Sequence, residues 1–421
     1  MKKRIFIISA FIIILLITLA FRQNAETSGA AEIISEIPVK PKPKPERKPT
    51  DIDGLLQQYD SLITAEFRET GTVGAAVAIT YKDQIAYLKC FGVKKAGTHD
   101  SINENTIFRL ASVSKTVSGV LAGILDEENI INLDDKVVDY IPGFKLKSRE
   151  STKEMTIRNL LSHTSGLIPH AYDLMVEDKV PLRKIIDRLA EVDIAAPPGK
   201  VYAYQNVMFS LIDTITTKKT SLKYPLLLKD KLFIPFGMKD ASADFQSFKN
   251  SDNKAYPHSG AQGHYHVLRL NDRYYNTAPA AGVNASISDM AHFLLALINK
   301  KNSVVDNEIR QTVFTPQIKS PLSRSYLHRW DKVDSKQYAI GWRIIGYKGR
   351  KVAYHGGYLQ GYRAEIALCE KENVGIVFLC NSPNSIAAES IPEFLNLFFE
   401  LKDKSGILTD TQTSGTRANE S

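Results

Sequence analysis

The stretch F-R-L-A-S-V-S-K-T-V-S-G-V-L-A-G-I-L, from Phe108 to Leu125, decides how the rest of the chain is read. Val113, Val117, Val120, Leu121, Ile124 and Leu125 recur at helical spacing and predict a largely buried helix. Ser112 and Lys115 stand at its head, three residues apart, so hydroxyl and amine share one face. An apolar setting strips hydration from a Lys and favours its neutral form. A neutral amine beside a hydroxyl makes a serine nucleophilic. Spacing alone does not establish this, because Ser251 and Lys254 repeat it in a polar stretch without apolar periodicity. Other segments have to supply the rest of a site.

Outward from this helix the pattern sorts into blocks. Ile52–Glu69, with apolar Leu55, Leu56, Tyr59, Leu62, Ile63 and Phe67, predicts a helix. Val73–Tyr81 and Gln84–Val93 read as strands joined by a tight turn at Lys82-Asp83. From Ile130 to Asn299 the chain is mainly helical and loop-like: Ile157–Leu161, Leu182–Val192, Val207–Thr217, Leu222–Leu232 and Ser288–Leu297. Strand periodicity returns in Tyr338–Ile345, Lys351–His355, Arg363–Cys369 and Val374–Cys380, and a helix at Ile391–Leu401 closes the body. Strands near both ends imply one antiparallel sheet with terminal helices on a face, an α+β fold. The helical insert, about residues 130–300, forms a second lobe, and the cleft between lobes is a natural site. No internal repeat is visible.

With 43% hydrophobic and 24% charged residues in 421, the composition is that of a folded globular protein. Its net charge of +8 is mostly a property of residues 1–50, which carry nine Lys/Arg against four Glu. The body is close to neutral, which argues against nucleic acid as a partner. Lys2, Lys3 and Arg4 precede Ile5–Phe21, seventeen residues in which only Ser9 and Thr18 are polar. Residues 1–21 therefore read as an export signal, either cleaved after Thr18-Leu19-Ala20 or retained as a membrane anchor. The expected location is the periplasm or cell envelope. Residues 22–50, with Pro38–Pro49 alternating Pro and Lys, form a linker, 51–402 the folded domain and 403–421 a polar tail. Cys90, Cys369 and Cys380 lie in strand-like runs and read as buried small apolar residues. If the runs flanking Lys371–Asn373 pair, Cys369 and Cys380 fall at opposite ends of a hairpin.

Two further segments carry chemistry. Pro197-Pro198-Gly199 ends one helix and presents Tyr204 and Asn206 at the start of the next. A phenol beside a Lys passes protons once the cation lowers its pKa, and the Asn amide can orient a substrate carbonyl and the Lys amine. His355-Gly356-Gly357-Tyr358 stands at the end of one strand and before another. Its paired glycines let a substrate backbone approach a strand edge, and His355 could supply a positive or donor group.

Ser112-x-x-Lys115, Tyr204-x-Asn206 and His355-Gly-Gly357, in that order, resemble the class C β-lactamase and D-alanyl-D-alanine carboxypeptidase superfamily of serine hydrolases, which includes the penicillin-binding proteins. Leu160-Leu-Ser-His-Thr-Ser-Gly-Leu167, Pro235–Lys239, Tyr338-x-Ile-Gly-Trp342 and Gly375–Asn381 extend the match over about residues 52–400. The resemblance implies a β-lactamase/transpeptidase-like fold and an acyl-enzyme on Ser112. It implies Lys115 and Tyr204 as the shared base, and an oxyanion hole from the backbone N–H groups of Ser112 and Tyr358. No metal and no organic cofactor are implied. The implied partners are a small-molecule or peptidoglycan-type D-amino-acid substrate, or an ester. Lys-Thr-Gly of efficient β-lactamases is replaced here by His-Gly-Gly, removing the charge and hydroxyl that capture a β-lactam carboxylate. β-Lactamase, peptidase (DD-carboxypeptidase), amidase, carboxylesterase and a penicillin-binding protein with little turnover all stay open.

Three decoys are set aside. Ser251-Asp252-Asn253 lacks the Pro-Pro-Gly context and reads as a surface loop. His264-x-His266 has no carboxylate or Cys to complete a metal set and reads as a solvated loop. His163 reads as structural, holding its loop through ring hydrogen bonds.

Overall fold

Small and β-branched residues make Gly74–Tyr81 (β1) and Gln84–Gly92 (β2) an antiparallel hairpin, with Lys82 at φ 56° in the turn. The computed structural model describes residues 47–299, 304–321, 327 and 329–416. The leader and most of the linker lie outside the described residues. No helix among the described residues is long and apolar enough to cross a membrane.

Later strands are Ile318–Lys319 (β3), Val333–Tyr338 (β4), Arg343–Tyr347 (β5), Arg350–Leu359 (β6), Tyr362–Cys369 (β7) and Val374–Cys380 (β8). They join the hairpin in one eight-stranded antiparallel sheet of order β2-β1-β8-β7-β6-β5-β4-β3. The last strand thus pairs with the first. Cys369 opposes Val374 and Cys380 opposes Arg363, so the two free thiols end up at opposite ends of the β7–β8 hairpin.

Both faces of the sheet are covered, which is why β1 is buried at every position rather than at alternate ones. Helix α1 (Asp53–Thr70) and the C-terminal helix Ile386–Thr416 cover one face. Tyr59, Ile63, Phe394 and Phe398 pack there against Val77, Ile79 and Phe378, and the Tyr59 hydroxyl donates to Ser390 O at 3.1 Å. Leu62, assigned to the buried stripe by its spacing, is 42% exposed instead. The C-terminal helix also runs well past Leu401, into the segment read as a polar tail. Helices α2 (Ser114–Glu127) and Ile287–Ile298 cover the other face, joining Ala76, Ala78, Val377 and Leu379 to the helical region.

Every residue of α2 from Ser114 to Leu125 is buried. A Cβ at Gly119 would stand 2.2 Å from Ile340 O, and one at Gly341 2.2 Å from Lys115 O. Backbone therefore crosses backbone here with no side chain between. This crossing corrects the reading of Tyr338–Ile345 as one strand. β4 stops at Tyr338, Gly341 turns at φ 75°, and β5 restarts at Arg343.

The helical region holds other departures. Leu182–Val192 splits into Leu182–Ile186 and a 3₁₀ turn at Leu189–Glu191. Leu222–Leu232 becomes Tyr224–Leu228, a π turn at Lys229–Phe233, and a short helix whose Pro235 lacks the N–H that a regular ladder needs. His264 and His266 are exposed on a hairpin, His258–Ala261 with His264–Val267, rather than on a loop. Gln262 (φ 49°) and Gly263 (φ 81°) make that turn, a signal that spacing of His residues hides.

Where α1 meets the C-terminal helix, oxygens of Glu66, Glu389 and Glu393 gather within 4.8 Å. Burial, then the neighbouring Glu393 and Glu389, push the Glu66 carboxyl up to about 9. A raised acid stabilises the fold below its ordinary pKa, and that contribution is lost as pH rises toward the folded value. Stability should therefore fall as pH rises from about 5 toward 9. Thermal melts of Glu66→Gln should show this alkaline loss reduced. An unchanged pH dependence would show that Glu66 does not carry the proton.

Candidate active site

Ser112 lies in the 3₁₀ turn Ala111–Val113 that leads into α2, and it is half-buried. Ala111, directly before it, is held at φ 48°, a left-handed conformation that costs a non-glycine residue roughly 1–2 kcal/mol. The turn rests on β6. A Cβ at Gly357 would fall 2.5 Å from Leu110 O and 2.9 Å from Ser112 N. The glycine is thus required by the serine's own backbone rather than by a substrate. β5 pairs with β6 only as far as Tyr354, whereas β7 pairs through Leu359. From His355 on, the β6 edge on the β5 side is not laddered to another described strand. Gly357→Val should push the serine turn away and lower kcat by about 100-fold or more, measured beside circular dichroism to show retained fold. Full activity would exclude this packing.

Lys115 is wholly buried, one turn after Ser112. Its Nζ donates to Asn206 Oδ1 at 2.8 Å and to Ala280 O at 2.9 Å. The rings of Tyr204 and Phe209 lie 4.6 and 5.5 Å from it. Burial lowers the Lys115 pKa well below its ordinary value, Arg343 adds to that effect, and the Asp173 carboxylate opposes it. Ala280 is presented by the helical turn Ala278–Ala281, which α2 holds in place. Ser118 Oγ donates to Pro279 O at 2.7 Å, and Ser114 Oγ accepts from Val283 N at 2.9 Å.

Tyr204 precedes helix α3 (Asn206–Thr220), of which Asn206 is the first residue. The loop is pinned by the Leu-Ser-His-Thr-Ser-Gly segment. Gly199 N donates to Thr164 O at 2.7 Å, Ala203 N to His163 O at 2.8 Å, and Gln205 N to His163 Nδ1 at 3.2 Å. His163 is buried, its ring centroid 4.3 Å from that of Tyr204. Burial, with Lys115 and Arg343, lowers its pKa well below the usual value, so the ring is neutral. The structural reading of His163 matches this placement.

His355 lies inside β6, not between strands, and it is fully buried. Nδ1 donates to Gly356 O at 2.9 Å, so Nε2 accepts from the Tyr338 hydroxyl at 3.2 Å. Burial, then Arg343 and Lys115, hold its pKa well below the usual range. Of the positive or donor group expected at 355, the structure gives a neutral ring whose N–H is taken by Gly356 O. Tyr358, next along the strand, is 61% exposed.

Two charged residues at the site carry no motif. Arg343, at the start of β5, is buried, donates through Nη1 to the Tyr202 hydroxyl at 3.1 Å, and stands 5.6 Å from the Tyr204 and Tyr338 ring centres. A guanidinium stays protonated, so Arg343 is a permanent cation here. Its one sequence signal is a charge inside the apolar run Trp342-Arg343-Ile344-Ile345. Asp173 accepts from Asn206 Nδ2 and pairs with His170 Nδ1 at 2.8 Å. Nothing in the spacing around it marks it. Ser112, Lys115, Tyr204, Asn206 and the His355–Tyr358 strand thus meet in one region, with Asp173 and Arg343 supplying opposite charges.

A two-faced antiparallel sheet with a Ser-x-x-Lys helix beneath it defines the serine β-lactamase and penicillin-binding class of folds. A family model described as Beta-lactamase matches residues 53–394, and the chain belongs to that family. It is 24% identical over 362 residues to "Beta-lactamase-like protein 2" of Dictyostelium discoideum, covering 82% of this chain and 63% of the relative. It is 26% identical over 351 residues to "Protein flp" of Staphylococcus aureus (strain MW2), covering 81% of this chain and 66% of the relative. The chain thus spans slightly less than two thirds of these relatives' lengths. The octameric penicillin-binding protein homologue from Pyrococcus abyssi superposes with a TM-score of 0.70 at 22% identity, over 81% of this chain and 77% of that one. That likeness concerns the fold.

Proposed function

We propose that this chain is an exported serine hydrolase that cleaves an amide or ester through an acyl-enzyme on Ser112. The observation that carries the reading is the bonding of Lys115. A neutral amine has two hydrogens and one lone pair, and Asn206 Oδ1 and Ala280 O account for both hydrogens. The lone pair is left to accept a proton, and Ser112 is one helical turn away. The Ser112 hydroxyl proton passes to Lys115 or Tyr204 as Oγ bonds the carbonyl carbon. Backbone N–H groups of Ser112 and Tyr358 hold the oxyanion, each worth about 3–4 kcal/mol. Collapse expels the amine or alcohol, which takes the proton. Water then attacks the acyl-enzyme with Tyr204 as base, giving the free acid and Ser112.

An ester or a simple amide suits the site better than a β-lactam. His355 is neutral, and Gly356 offers no hydroxyl, so neither position supplies the charge or hydroxyl that captures a β-lactam carboxylate. The charged start and apolar run at residues 2–21 support export to the cell envelope, with residues 5–21 serving as signal or anchor. Fluorescent penicillin and a p-nitrophenyl ester, tested side by side, separate the readings. Ester turnover with no labelling is expected. Stable labelling with slow release would instead indicate a penicillin-binding protein, and rapid release a lactamase.

A further inference from the structure

Asn206 is the side chain expected to meet a substrate carbonyl, yet its oxygen is taken by Lys115 and its Nδ2 already faces a carboxylate. Oδ1 accepts from Lys115 Nζ at 2.8 Å, while Nδ2 faces Asp173 Oδ1 at 3.1 Å and Oδ2 at 3.0 Å. The partners fix this orientation, because a flipped amide would set its oxygen against a carboxylate and its hydrogens against an amine. Asp173 opens the helical turn Asp173–Glu177, and its side chain is 21% exposed. Its other partner is His170 Nδ1 at 2.8 Å. A carboxylate accepts about four hydrogen bonds, so this group keeps capacity that the three contacts do not use. This wall of the site therefore offers a substrate an acceptor with negative charge where the Asn alone would offer a donor.

We infer that Asp173 is a specificity-determining residue: it selects acyl groups that carry a hydrogen-bond donor, a free ammonium foremost, over acyl groups that present an N-acyl carbonyl to Asn206. This inference rests on the Ser112 hydrolase reading. An N-acyl carbonyl that approached Nδ2 would set its oxygen beside the Asp173 carboxylate, an unfavourable pairing of two acceptors. An ammonium meets the carboxylate directly. The surrounding charges agree with this choice. Burial disfavours a charge on Lys115, and His170 is on the exposed rim. Glu177, one turn beyond Asp173, accepts from the Tyr274 hydroxyl at 2.9 Å and adds a second anion. Tyr274 also lies in the field of Asp173. Arg343 is the opposing cation, buried behind the tyrosines.

The test compares glycyl and N-acetylglycyl p-nitrophenyl esters at about pH 6.5, where an α-amine is protonated. Wild type should favour the free amine in kcat/KM by about tenfold or more, the scale of one desolvated charge pair, chiefly through KM. Asp173→Asn should bring that ratio to one or below, and Asp173→Glu should restore part of it. The ratio is internal to each variant, so loss of folded protein does not move it. Asp173→Asn also removes the anion that opposes deprotonation of Lys115, so the acid limb of kcat should move to lower pH. Equal use of both esters by wild type, no use of either, or an unchanged ratio in Asp173→Asn would overturn the inference. Turnover of p-nitrophenyl acetate and its loss in Ser112→Ala test the underlying reading separately.

Discussion

Ser112→Ala is expected to remove p-nitrophenyl ester turnover by a factor on the order of 10⁴ or more, because a nucleophile acts as a unit with its base and its loss is not shared out. The fold should be unaffected. Ser112 is half-buried in a turn whose shape is set by Ala111, Gly357 and the start of α2, none of which needs the hydroxyl. Melting temperature and circular dichroism should therefore match wild type, and the change should be confined to kcat. Equal melting with full turnover would mean that another group attacks the carbonyl.

Lys115→Met is expected to lower kcat by roughly 10³-fold or more, the scale of a lost base at an activated nucleophile. Met fills a similar volume, but it leaves Asn206 Oδ1 and Ala280 O without the donor that now meets both. Each buried acceptor left unpaired costs about 1–3 kcal/mol, partly offset because a desolvated amine is removed, so a lower melting temperature is expected. Lys115→Arg separates charge from basicity. A guanidinium keeps a cation at the site but does not give up its proton, so this variant should be as inactive as Met. In wild type, kcat should rise with pH as Lys115 deprotonates, with a midpoint well below about 10.4 because burial lowers its pKa. An acid limb at the ordinary lysine value, or an active Lys115→Arg, would remove Lys115 from the base role.

Much of the fold was legible in local pattern. Val374–Cys380 and Ile157–Leu161 have the bounds their periodicity predicts, because each is a continuous apolar run ended by polar or turn residues. The helix after Ser112 was legible for the same reason. The break at Gly341 was not, because it answers a backbone crossing with Gly119, more than two hundred residues earlier in the chain. The site divides in the same way. Ser112, Lys115, Tyr204 and Asn206 sit in short motifs whose spacing expresses their geometry. Arg343 reaches Tyr202 and Tyr204 across about 140 residues, and Asp173 acts through Asn206, so no spacing records either. His355 was found but its charge state was left open, since burial and the nearby Arg343 decide it and neither is visible in His-Gly-Gly.

The most direct test of the account is the site of acylation. Acid-quenched enzyme from a reaction with a slowly deacylating p-nitrophenyl ester would be digested and mapped by mass spectrometry. The acyl mass should be found on the peptide containing Ser112, and it should be absent in Ser112→Ala. An adduct on another residue, or turnover with no covalent intermediate and full activity in Ser112→Ala, would contradict it.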